Sequence, residues 1–350
     1  MLGQTTLDWI DKRCKQATGC FQNTIGGKSF ILNGDPGQLP SGQDKPLYHD
    51  KPSNTIGEQG YQTYRMFDKV VKLTINQRVQ GCCEEQEQFR NILLRLRRGE
   101  STYEDWQLLL SCQPSNISNK HEFNNLVKLF YSNNEVANYN HDQLIKLQEH
   151  VANMNANHSS VIAKNMPSDE MSGLEPTIFL AKGAKVVLTM NLWALVGLCN
   201  GATGTVIDIL YEIHHQPPDL PIAVIVQFDN YNGPSISDTL PSCVPIRPVT
   251  VSEQALDGFN ELQQIPLKLA YALTIHKSRG LSIPKAWVDL GKSEKRPGVS
   301  YVAISRIKTL LSLVIKLKNL GKYATLQYRL DEEPRLNHLS NITETIYNQI

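Results

Sequence analysis

The sequence lacks the cysteine and charge patterns that mark several classes of protein. Its seven cysteines are an odd number and include no C-x-x-C pair, so a disulfide framework or a zinc cluster is not expected and a reducing compartment is favoured. The formal net charge is only +1. Because basic residues can cluster on a surface without changing the total charge, composition neither supports nor excludes a nucleic-acid partner.

The sequence also shows no segment that is expected to enter a membrane. No apolar run approaches the ~18 residues that a transmembrane helix requires, and the N-terminal residues do not show the basic-then-apolar order of a signal peptide. Hydrophobic residues make up 41% and charged residues 20%, as in an ordinary soluble globular protein. The 350 residues are enough for two domains, or for one large domain that carries an insertion.

A complete phosphate-binding loop is absent as well. Residues 26–29 read GGKS, but the pattern G-x-x-x-x-G-K-[ST] needs a glycine where the sequence has Gln22. The order of elements also argues against a phosphate-binding loop, because residues 26–29 precede a predicted strand instead of following one and opening a helix. We therefore interpret them as a turn that leads into a buried strand. The sequence predicts no set of metal ligands.

Apolar periodicity predicts an α/β protein. Helices are expected at 7–17, ended by Gly19, and at 84–98, ended by Gly99. Arginines at positions 90, 95, 97 and 98 of the second helix are interpreted as a solvated face. Further expectations are a short apolar strand at 30–32, a loop at 41–63, an irregular polar stretch at 150–175, strands from 180 onward with a small all-β insertion, and a helical tail after 322.

One loop at the end of a predicted strand has a composition that suits a ligand site. Residues 34–40 read GDPGQLP and follow the apolar residues 30–32. In open α/β sheets, ligands bind at the carboxyl ends of strands. Asp35 and Gln38 could there contact a phosphate-bound metal or an attacking water.

Several segments, taken together and in this order, resemble a known family. They are residues 34–40, residues 73–78 (LTINQR), Asn191 with Asn200, Gly201 and Gly204, residues 274–280 (TIHKSRG), and residues 301–306 (YVAISR). In this order they are similar to the later motifs of the PIF-type (petite integration frequency) DNA helicases. These are RecD-like, 5′-to-3′ motors of helicase superfamily 1, encoded in nuclei or in transposons of the Helitron type. The resemblance runs from residue 1 to about 320, and the last two segments are the most specific.

The resemblance implies an α/β fold of RecA-like motor domains. Residues 1–78 would be an incomplete first motor domain, 79–204 with 263–350 the second, and 205–262 a β-rich, SH3-like insertion. The family's phosphate-binding loop and Mg²⁺-binding acidic pair come earlier and are absent from this chain. The expectation is therefore a truncated helicase that begins just after the magnesium motif and is inactive alone, although ATP and Mg²⁺ are the family's cofactors.

The resemblance also assigns roles to residues at the nucleotide. Gln38 would be the sensor beside the γ-phosphate, with Asp35 supporting its loop. Arg78 and Arg306 would be two arginine fingers, converging with Gln38 on one cleft between domains. A guanidinium group suits this role because it is permanently charged and matches the developing charge on phosphate. Taken alone, each arginine is better interpreted as an ordinary surface residue, and the joint order and spacing of the segments favours the functional interpretation.

A second set of residues would contact DNA. Thr274, His276, Lys277, Ser278 and Arg279 would line the path of single-stranded DNA, because short polar and cationic side chains suit sequence-independent contact with phosphates. His276 could alternatively be a hydrogen-bonded core histidine. The sequence departs from the family pattern at Pro36, where Phe is usual, and at Arg279, where Gln is usual. Proline there stiffens the sensor loop and removes an amide donor, and Arg279 adds a charge.

The implied function is ATP-dependent DNA unwinding in repair, recombination, telomere maintenance or transposition. The alternative is a non-catalytic DNA-binding remnant of a decayed helicase gene, and a P-loop metabolic kinase is excluded by the order of elements. Expected partners are single-stranded DNA or duplex junctions, with no membrane and no prediction of oligomeric state. By family, the nucleus is the expected compartment, with a mitochondrial form as the alternative.

Overall fold

The computed structural model describes residues 2–39, 44–117, 126–168, 170–235, 237, 239–255, 258–291 and 298–316. The chain forms two compact units. Unit 1 contains Met1–Asn124 and Ile275–Ile350, and unit 2 contains Asn125–Thr274. The predicted boundaries at 78, 204 and 262 do not coincide with this division and stay a prediction. The expected helical tail after 322 and Pro40 lie outside the described residues.

The described residues form helices of five to fifteen residues and short strands. The helices are α1 (Gln4–Thr18), α2 (Thr55–Arg65), α3 (Glu84–Arg98), α4 (Tyr103–Ser111), α5 (Asn133–Lys146), α6 (Val161–Asn165) and α7 (Val299–Ile304). The strands are β1 (Lys128–Phe130), β2 (Ala152–Asn155), β3 (Asn157–His158), β4 (Thr177–Leu180), β5 (Lys185–Leu188), β6 (Thr203–Leu210), β7 (Ala223–Phe228), β8 (Cys243–Ile246), β9 (Val249–Ala255), β10 (Gly258–Gln264), β11 (Leu267–Leu269), β12 (Ala272–Thr274), β13 (Ala286–Asp289) and β14 (Leu313–Lys316).

Helices α1 and α2 pack against each other in unit 1. Gly19 ends α1 in the left-handed region, at φ 69°, as a C-terminal glycine commonly does. Asn54 begins α2 by accepting a hydrogen bond from the Gly57 amide at 2.8 Å. Gly60 permits the close packing, because a Cβ there would collide with the Gln4 carbonyl. The prediction of a loop throughout 41–63 is therefore wrong at its end, where a tertiary contact stabilises a helix.

Helix α3 follows the sequence pattern closely, and α4 comes directly after it in the chain. Acidic residues occupy the first turn of α3 and arginines its last turn, which complements the helix dipole. Gly99 ends the helix at φ 74°. Phe89, Ile92 and Leu93 are buried on one face, and α3 packs against α7. Thr102 and Asp105 form a capping box at the start of α4.

The predicted strand at 30–32 is not a strand in the structure. Ile31 is 90% exposed, and Phe30 contacts Phe67 edge-to-face with ring centroids 6.3 Å apart. Leu73 and Ile75, which lie outside any helix or strand, are likewise 84% and 75% exposed. A strand needs a hydrogen-bonded neighbour, and no described strand pairs with residues 30–32. The expectation of a buried strand was therefore wrong for this structure.

Strands β13 and β14 form the buried parallel pair of unit 1. Val288 aligns with Ile315 in the register, and both side chains have no exposed surface. The Ile315 amide donates to the carbonyl of Cys112 at 3.0 Å, which fixes the end of α4 to this pair. Helix α7 follows β13 in the chain and presents buried Val302 and Ala303 to the interior.

Unit 2 consists mainly of antiparallel strands. A five-stranded sheet has the order β11–β5–β6–β7–β8, with Val186, Val206 and Val226 in its core. Strands β3–β10–β9 and β2–β4 form smaller antiparallel sheets. The stretch 150–175, predicted to be irregular, contains β2, β3 and α6. The five-stranded sheet also includes β5 and β11, beyond 205–262, so the SH3-like insertion stays a prediction.

A parallel pair, β1 and β12, lies beside α5 in unit 2. Asn140 of α5 is 8% exposed and bonds both main-chain groups of Ala272. Its side-chain oxygen accepts from the Ala272 amide at 2.9 Å, and its Nδ2 donates to the Ala272 carbonyl at 3.4 Å. The Asn140 side chain thus provides hydrogen-bond partners for the amide and the carbonyl of Ala272, which would otherwise be buried without partners.

Candidate functional site

Arg78 is placed by a tight turn that its own sequence neighbours create. The side-chain oxygen of Asn76 accepts from the amides of Arg78 and Val79, each at 3.0 Å. Val79 is buried, which anchors the turn. The Arg78 guanidinium then donates to the Ser305 carbonyl through Nη1 at 2.8 Å, to Ser282 Oγ through Nε at 2.9 Å, and to the Leu281 carbonyl through Nη2 at 3.2 Å.

Arg306 follows the end of α7 and is 2% exposed. Its Nε donates to the Val302 carbonyl and its Nη2 to Ser305 Oγ, both at 2.8 Å. The Arg306 carbonyl accepts from the Ile283 amide at 2.9 Å. The segment that contains Leu281 and Ser282 is therefore bonded both to the Arg78 side chain and to the Arg306 main chain.

Three arginines share this region, and we call Arg78, Arg279 and Arg306 the arginine cluster. Burial, and then the charge of Arg78, lower the pKa of Arg306 to about 10. Arg279 contributes in the same direction, and burial lowers the pKa of Arg78 and of Arg279 themselves. Because a pKa near 10 is far above neutral pH, Arg306 remains a cation under ordinary conditions.

The predicted sensor residues Asp35 and Gln38 lie in residues 34–39, which we call the sensor loop. This loop contacts the region of the arginine cluster. The Asp35 carboxylate accepts from the Gly37 amide at 2.9 Å and from Gln38 Nε2 at 3.5 Å. Tyr301 Oη donates to Asp35 Oδ2 at 3.2 Å. The charge of Asp35 acts on Arg279 and on Arg306. The predicted residues Asp35, Gln38, Arg78 and Arg306 therefore all belong to one region of unit 1.

Two residues of this region were not predicted from the sequence. Arg97 Nη2 lies 2.9 Å from Asp35 Oδ1, and Tyr301 donates to the other oxygen of the same carboxylate. Tyr301 is the first residue of the YVAISR segment, so that segment could have identified it. Arg97 has no such local signal, because Asp35 is 62 positions away.

The interpretation of the α3 arginines as a solvated face is incomplete, because most of them have partners in unit 1. Arg95 forms a bidentate ion pair with Asp105: Nε lies 2.7 Å from Oδ2, and Nη2 contacts Oδ1. Arg90 donates to the Gly81 carbonyl at 2.8 Å. Arg98 is exposed and fits the prediction. The sequence pattern located the face of the helix but not the acidic and carbonyl partners that other segments bring to it.

The segment expected to contact DNA is divided between exposed and buried side chains. His276 and Lys277 are exposed. Ser278 has no exposed surface, and its hydroxyl donates to the Ile275 carbonyl at 2.8 Å. Thr274 is 5% exposed, and Arg279 is half-buried. Because both side chains are largely buried, direct contact of DNA with Ser278 or Thr274 stays a prediction.

The asparagine–glycine segment of unit 2 is a structural turn. Asn191 Oδ1 accepts from the Asn200 amide at 2.8 Å. Gly204 lies against the neighbouring strand, where a Cβ would approach the Gln227 carbonyl oxygen to 2.5 Å. These contacts explain the residue types without a ligand.

Neither a metal centre nor a membrane segment occurs in the part of the chain that the structure describes. In that part, no group of three or more His, Cys, Asp or Glu side chains could hold a metal ion. None of its helices combines the length and the apolar character that crossing a bilayer requires.

Comparisons with known proteins identify related sequences. No protein-family model matches the chain. ATP-dependent DNA helicase PIF7 of Trypanosoma brucei brucei is 32% identical over 169 residues, which are 43% of this chain and 16% of that protein. ATP-dependent DNA helicase Pif1 of Bdellovibrio bacteriovorus is 25% identical over 294 residues, 82% of this chain and 58% of that protein. The chain thus spans less than two thirds of either relative.

Solved structures share the fold. The crystal structure of Pif1 helicase from Bacteroides in complex with ADP-AlF3 and ssDNA matches with a TM-score of 0.65 and 21% identity, covering 96% of this chain and 72% of that chain. This likeness confirms the expected α/β, RecA-like fold. The sequence matches confirm the expected family relationship. The chain is therefore similar in sequence and in fold to Pif1-type ATP-dependent DNA helicases and spans part of their length.

Proposed function

We propose that the chain acts in ATP-dependent DNA unwinding and supplies the arginine fingers for ATP hydrolysis. The bond from Arg78 Nη1 to the Ser305 carbonyl, at 2.8 Å, carries this proposal. It brings one predicted finger next to the other, Arg306, although the two belong to distant segments of the chain. Gln38, the predicted sensor residue, belongs to the same region through its hydrogen bond to Asp35.

The charge balance of the region fits a nucleotide's phosphates. The arginine cluster and Arg97 carry four positive charges, and Asp35 supplies the nearby carboxylate. A partly buried excess of positive charge is costly unless an anion offsets it. Phosphate is the anion that suits forked guanidinium groups. The Bacteroides Pif1 structure contains ADP-AlF3, and we extend nucleotide binding from that relative to this chain.

Among the described residues, no group of three or more His, Cys, Asp or Glu side chains could hold a metal ion, so we assign no step to a metal held by this chain. ATP supplies the phosphoanhydride bond that is broken. Arg306 would hold its positive charge against the departing phosphoryl group, fixed by its bonds to Val302 and Ser305. Gln38 would orient water through its side-chain amide.

Two exposed side chains support a DNA partner. Exposed His276 and Lys277 could contact phosphates of single-stranded DNA without reading its sequence. The Bacteroides Pif1 structure contains ssDNA. By the same relationship we propose 5′-to-3′ polarity, duplex junctions as substrates, and action in the nucleus or in mitochondria on repair, recombination, telomeres or transposition.

DNA-stimulated ATP turnover tests the proposed function. We would measure it with the purified chain, with any longer in-frame product of its gene, and with Arg306→Lys in both. Arg13→Lys, an exposed residue of α1, is the matched control. We expect single-stranded DNA to stimulate turnover in at least one form, and Arg306→Lys to abolish that stimulation. DNA binding without turnover in any form would favour the non-catalytic DNA-binding alternative and reject the helicase proposal.

A further inference from the structure

Arg97 lies at the end of α3, where a solvated side chain was expected, yet its side chain is 19% exposed. Its Nε and Nη2 atoms lie 3.0 Å and 2.9 Å from the same oxygen, Asp35 Oδ1. Two nitrogen atoms of the guanidinium group thus contact the same carboxylate oxygen. A contact of this kind fixes the orientation of the carboxylate more firmly than a single lysine contact does.

The Asp35 carboxylate links several separate parts of unit 1. Oδ1 accepts from the Gly37 amide of the sensor loop in addition to Arg97. Oδ2 accepts from Tyr301 of α7 at 3.2 Å and from Gln38 Nε2 at 3.5 Å. The carboxylate therefore joins α3, α7 and the sensor loop through one group, and the Gln38 side chain is one of its donors.

The main chain of the sensor loop also packs directly on Arg97. A Cβ added to Gly37 would lie 2.5 Å from Cγ of Arg97 and 2.7 Å from its Nε. Glycine at this position allows the loop to reach the arginine stem, and the Gly37 amide donates to the carboxylate that the arginine holds. The Arg97 side chain thus contacts the loop by packing and by charge.

We propose that Arg97 is a positioning residue that sets the orientation of the Gln38 side chain through Asp35. We name the assembly of Arg97, Asp35 and Tyr301 the carboxylate brace. It holds the sensor loop against α3 and α7, and α7 leads directly into Arg306. The inference rests on the proposed function for its catalytic consequence, but the brace itself can be tested without nucleotide.

A simple structural ion pair is the competing explanation. Ion pairs often contribute little to stability, and such a pair could hold α3 in place without affecting Gln38. The two explanations differ in what happens at the sensor loop when Arg97 is replaced. The positioning role requires Gln38 and Gly37 to respond, whereas a general structural role predicts only a change in overall stability.

The first experiment uses the 350-residue chain without nucleotide and compares Arg97→Ala, Arg97→Lys and the control Arg98→Ala. Arg98 is the next residue of the same helix and is exposed. NMR would follow the Gln38 side-chain amide signal and the exchange rate of the Gly37 amide. We expect Arg97→Ala to shift the Gln38 signal and raise Gly37 exchange at least tenfold, Arg97→Lys to restore part of the difference, and Arg98→Ala to match the unmodified chain. Unchanged signals in folded Arg97→Ala would overturn the inference.

The second experiment measures DNA-stimulated ATP turnover in the most active form of the protein. We expect Arg97→Ala to lower kcat at least tenfold with KM for ATP changed less than threefold, and Arg97→Lys to recover part of kcat. If Arg97→Ala changes the Gln38 and Gly37 signals but leaves kcat unchanged, the carboxylate brace is only a structural contact and the positioning role is rejected. Absence of turnover in the unmodified protein would reject the proposed function instead, while the NMR comparison still decides whether Arg97 orients Gln38.

Discussion

Arg78 donates through Nη1 to the main-chain carbonyl of Ser305 at 2.8 Å, although the two residues are 227 positions apart in the chain. Ser305 immediately precedes Arg306, and its hydroxyl accepts from Arg306 Nη2. One serine therefore binds both predicted arginine fingers, the first through its carbonyl and the second through its side chain. This arrangement fixes two like charges near each other at a cost that burial increases, which is more readily explained by an anionic ligand than by stability.

Replacing Arg78 with Lys tests this arrangement. A lysine ammonium group cannot reproduce the fork that bonds Ser305, Ser282 and Leu281. We expect a loss of about 1–2 kcal/mol in the free energy of unfolding, measured by urea denaturation. In the active form we expect DNA-stimulated ATP turnover to fall at least ~100-fold. Arg13→Lys should change neither quantity, and normal turnover in Arg78→Lys would exclude the finger role.

Lys277 gives a prediction for DNA binding. Its side chain is exposed, whereas Arg279 is half-buried beside Asp35. Binding of single-stranded DNA should weaken steeply with salt, because each phosphate contact releases counterions. We expect Lys277→Ala to reduce the slope of log K against log salt by about one, and Arg279→Ala to change it less. Fluorescence anisotropy at several salt concentrations measures the slope, with exposed Lys51→Ala as control. Equal slopes for Lys277→Ala and the unmodified chain would mean that the strand follows another path.

The sequence predicted those features that local residues determine. Gly19 and Gly99 end their helices in the left-handed conformation, and apolar spacing predicted the helix at 84–98. Phe30 and Ile31 show the limit of this approach, because apolar character alone does not provide the neighbouring strand that a sheet requires. Arg97 shows the same limit for the site, since only the folded chain brings it to Asp35. The motif segments located Arg78 and Arg306, but their shared partner Ser305 emerged only from the structure.

Asn140 provides a test of stability in unit 2. Asn140→Ala removes both bonds to the main chain of Ala272 and leaves a buried amide and carbonyl without a partner. We expect the free energy of unfolding to fall by about 2–3 kcal/mol, measured by urea denaturation. Asn134→Ala, at an exposed position of the same helix, should have little effect. A loss in Asn140→Ala no larger than in the control would mean that other groups replace these bonds.

Asp105 predicts a pH dependence of stability. The hydrogen bonds from Arg95, and secondarily the Thr102 amide, lower the pKa of Asp105 below its usual value near 3.8, against an opposing effect of burial. A folded-state pKa below the unfolded-state value stabilises the protein above about pH 4, and this contribution is lost as the pH falls through the folded-state pKa. We expect Asp105→Asn to be less stable than the unmodified chain at pH 7 and the difference to shrink below about pH 4. Urea denaturation across this range measures it, with Asp142→Asn, at an exposed position, as the control substitution.

Tyr301 offers a direct measure of the carboxylate brace. Burial, and then the negative charge of Asp35, raise the pKa of the Tyr301 phenol to about 12, while Arg97 and Arg306 act in the opposite direction. The phenol should therefore remain protonated at about pH 11, where an ordinary tyrosine with a pKa of about 10 is mostly ionised. Asp35→Asn removes the nearby negative charge, so we expect it to lower the pKa of Tyr301.

The same shift affects stability at high pH. Because the folded-state pKa of Tyr301 lies above the unfolded-state value, its contribution is fully present below about pH 10 and is lost as the pH rises towards 12. Tyr301→Phe should remove this loss, so its stability should fall less steeply across that window. The opposite effect of Arg306, whose pKa is lowered to about 10, is present in both proteins and largely cancels in the comparison.

The titration is read from the absorbance of ionised tyrosine. The sequence has 13 tyrosines, so the curve for Tyr301→Phe is subtracted from that of the unmodified chain, and the subtraction is repeated in an Asp35→Asn background. We expect the midpoint of the difference curve to move to lower pH in that background and to stay in place with Asp50→Asn, an exposed carboxylate of the same unit. If Asp35→Asn leaves the midpoint unchanged, the bond between Tyr301 and Asp35 does not form in solution. The connection between the sensor loop and the helix that precedes Arg306 would then have to run through other residues.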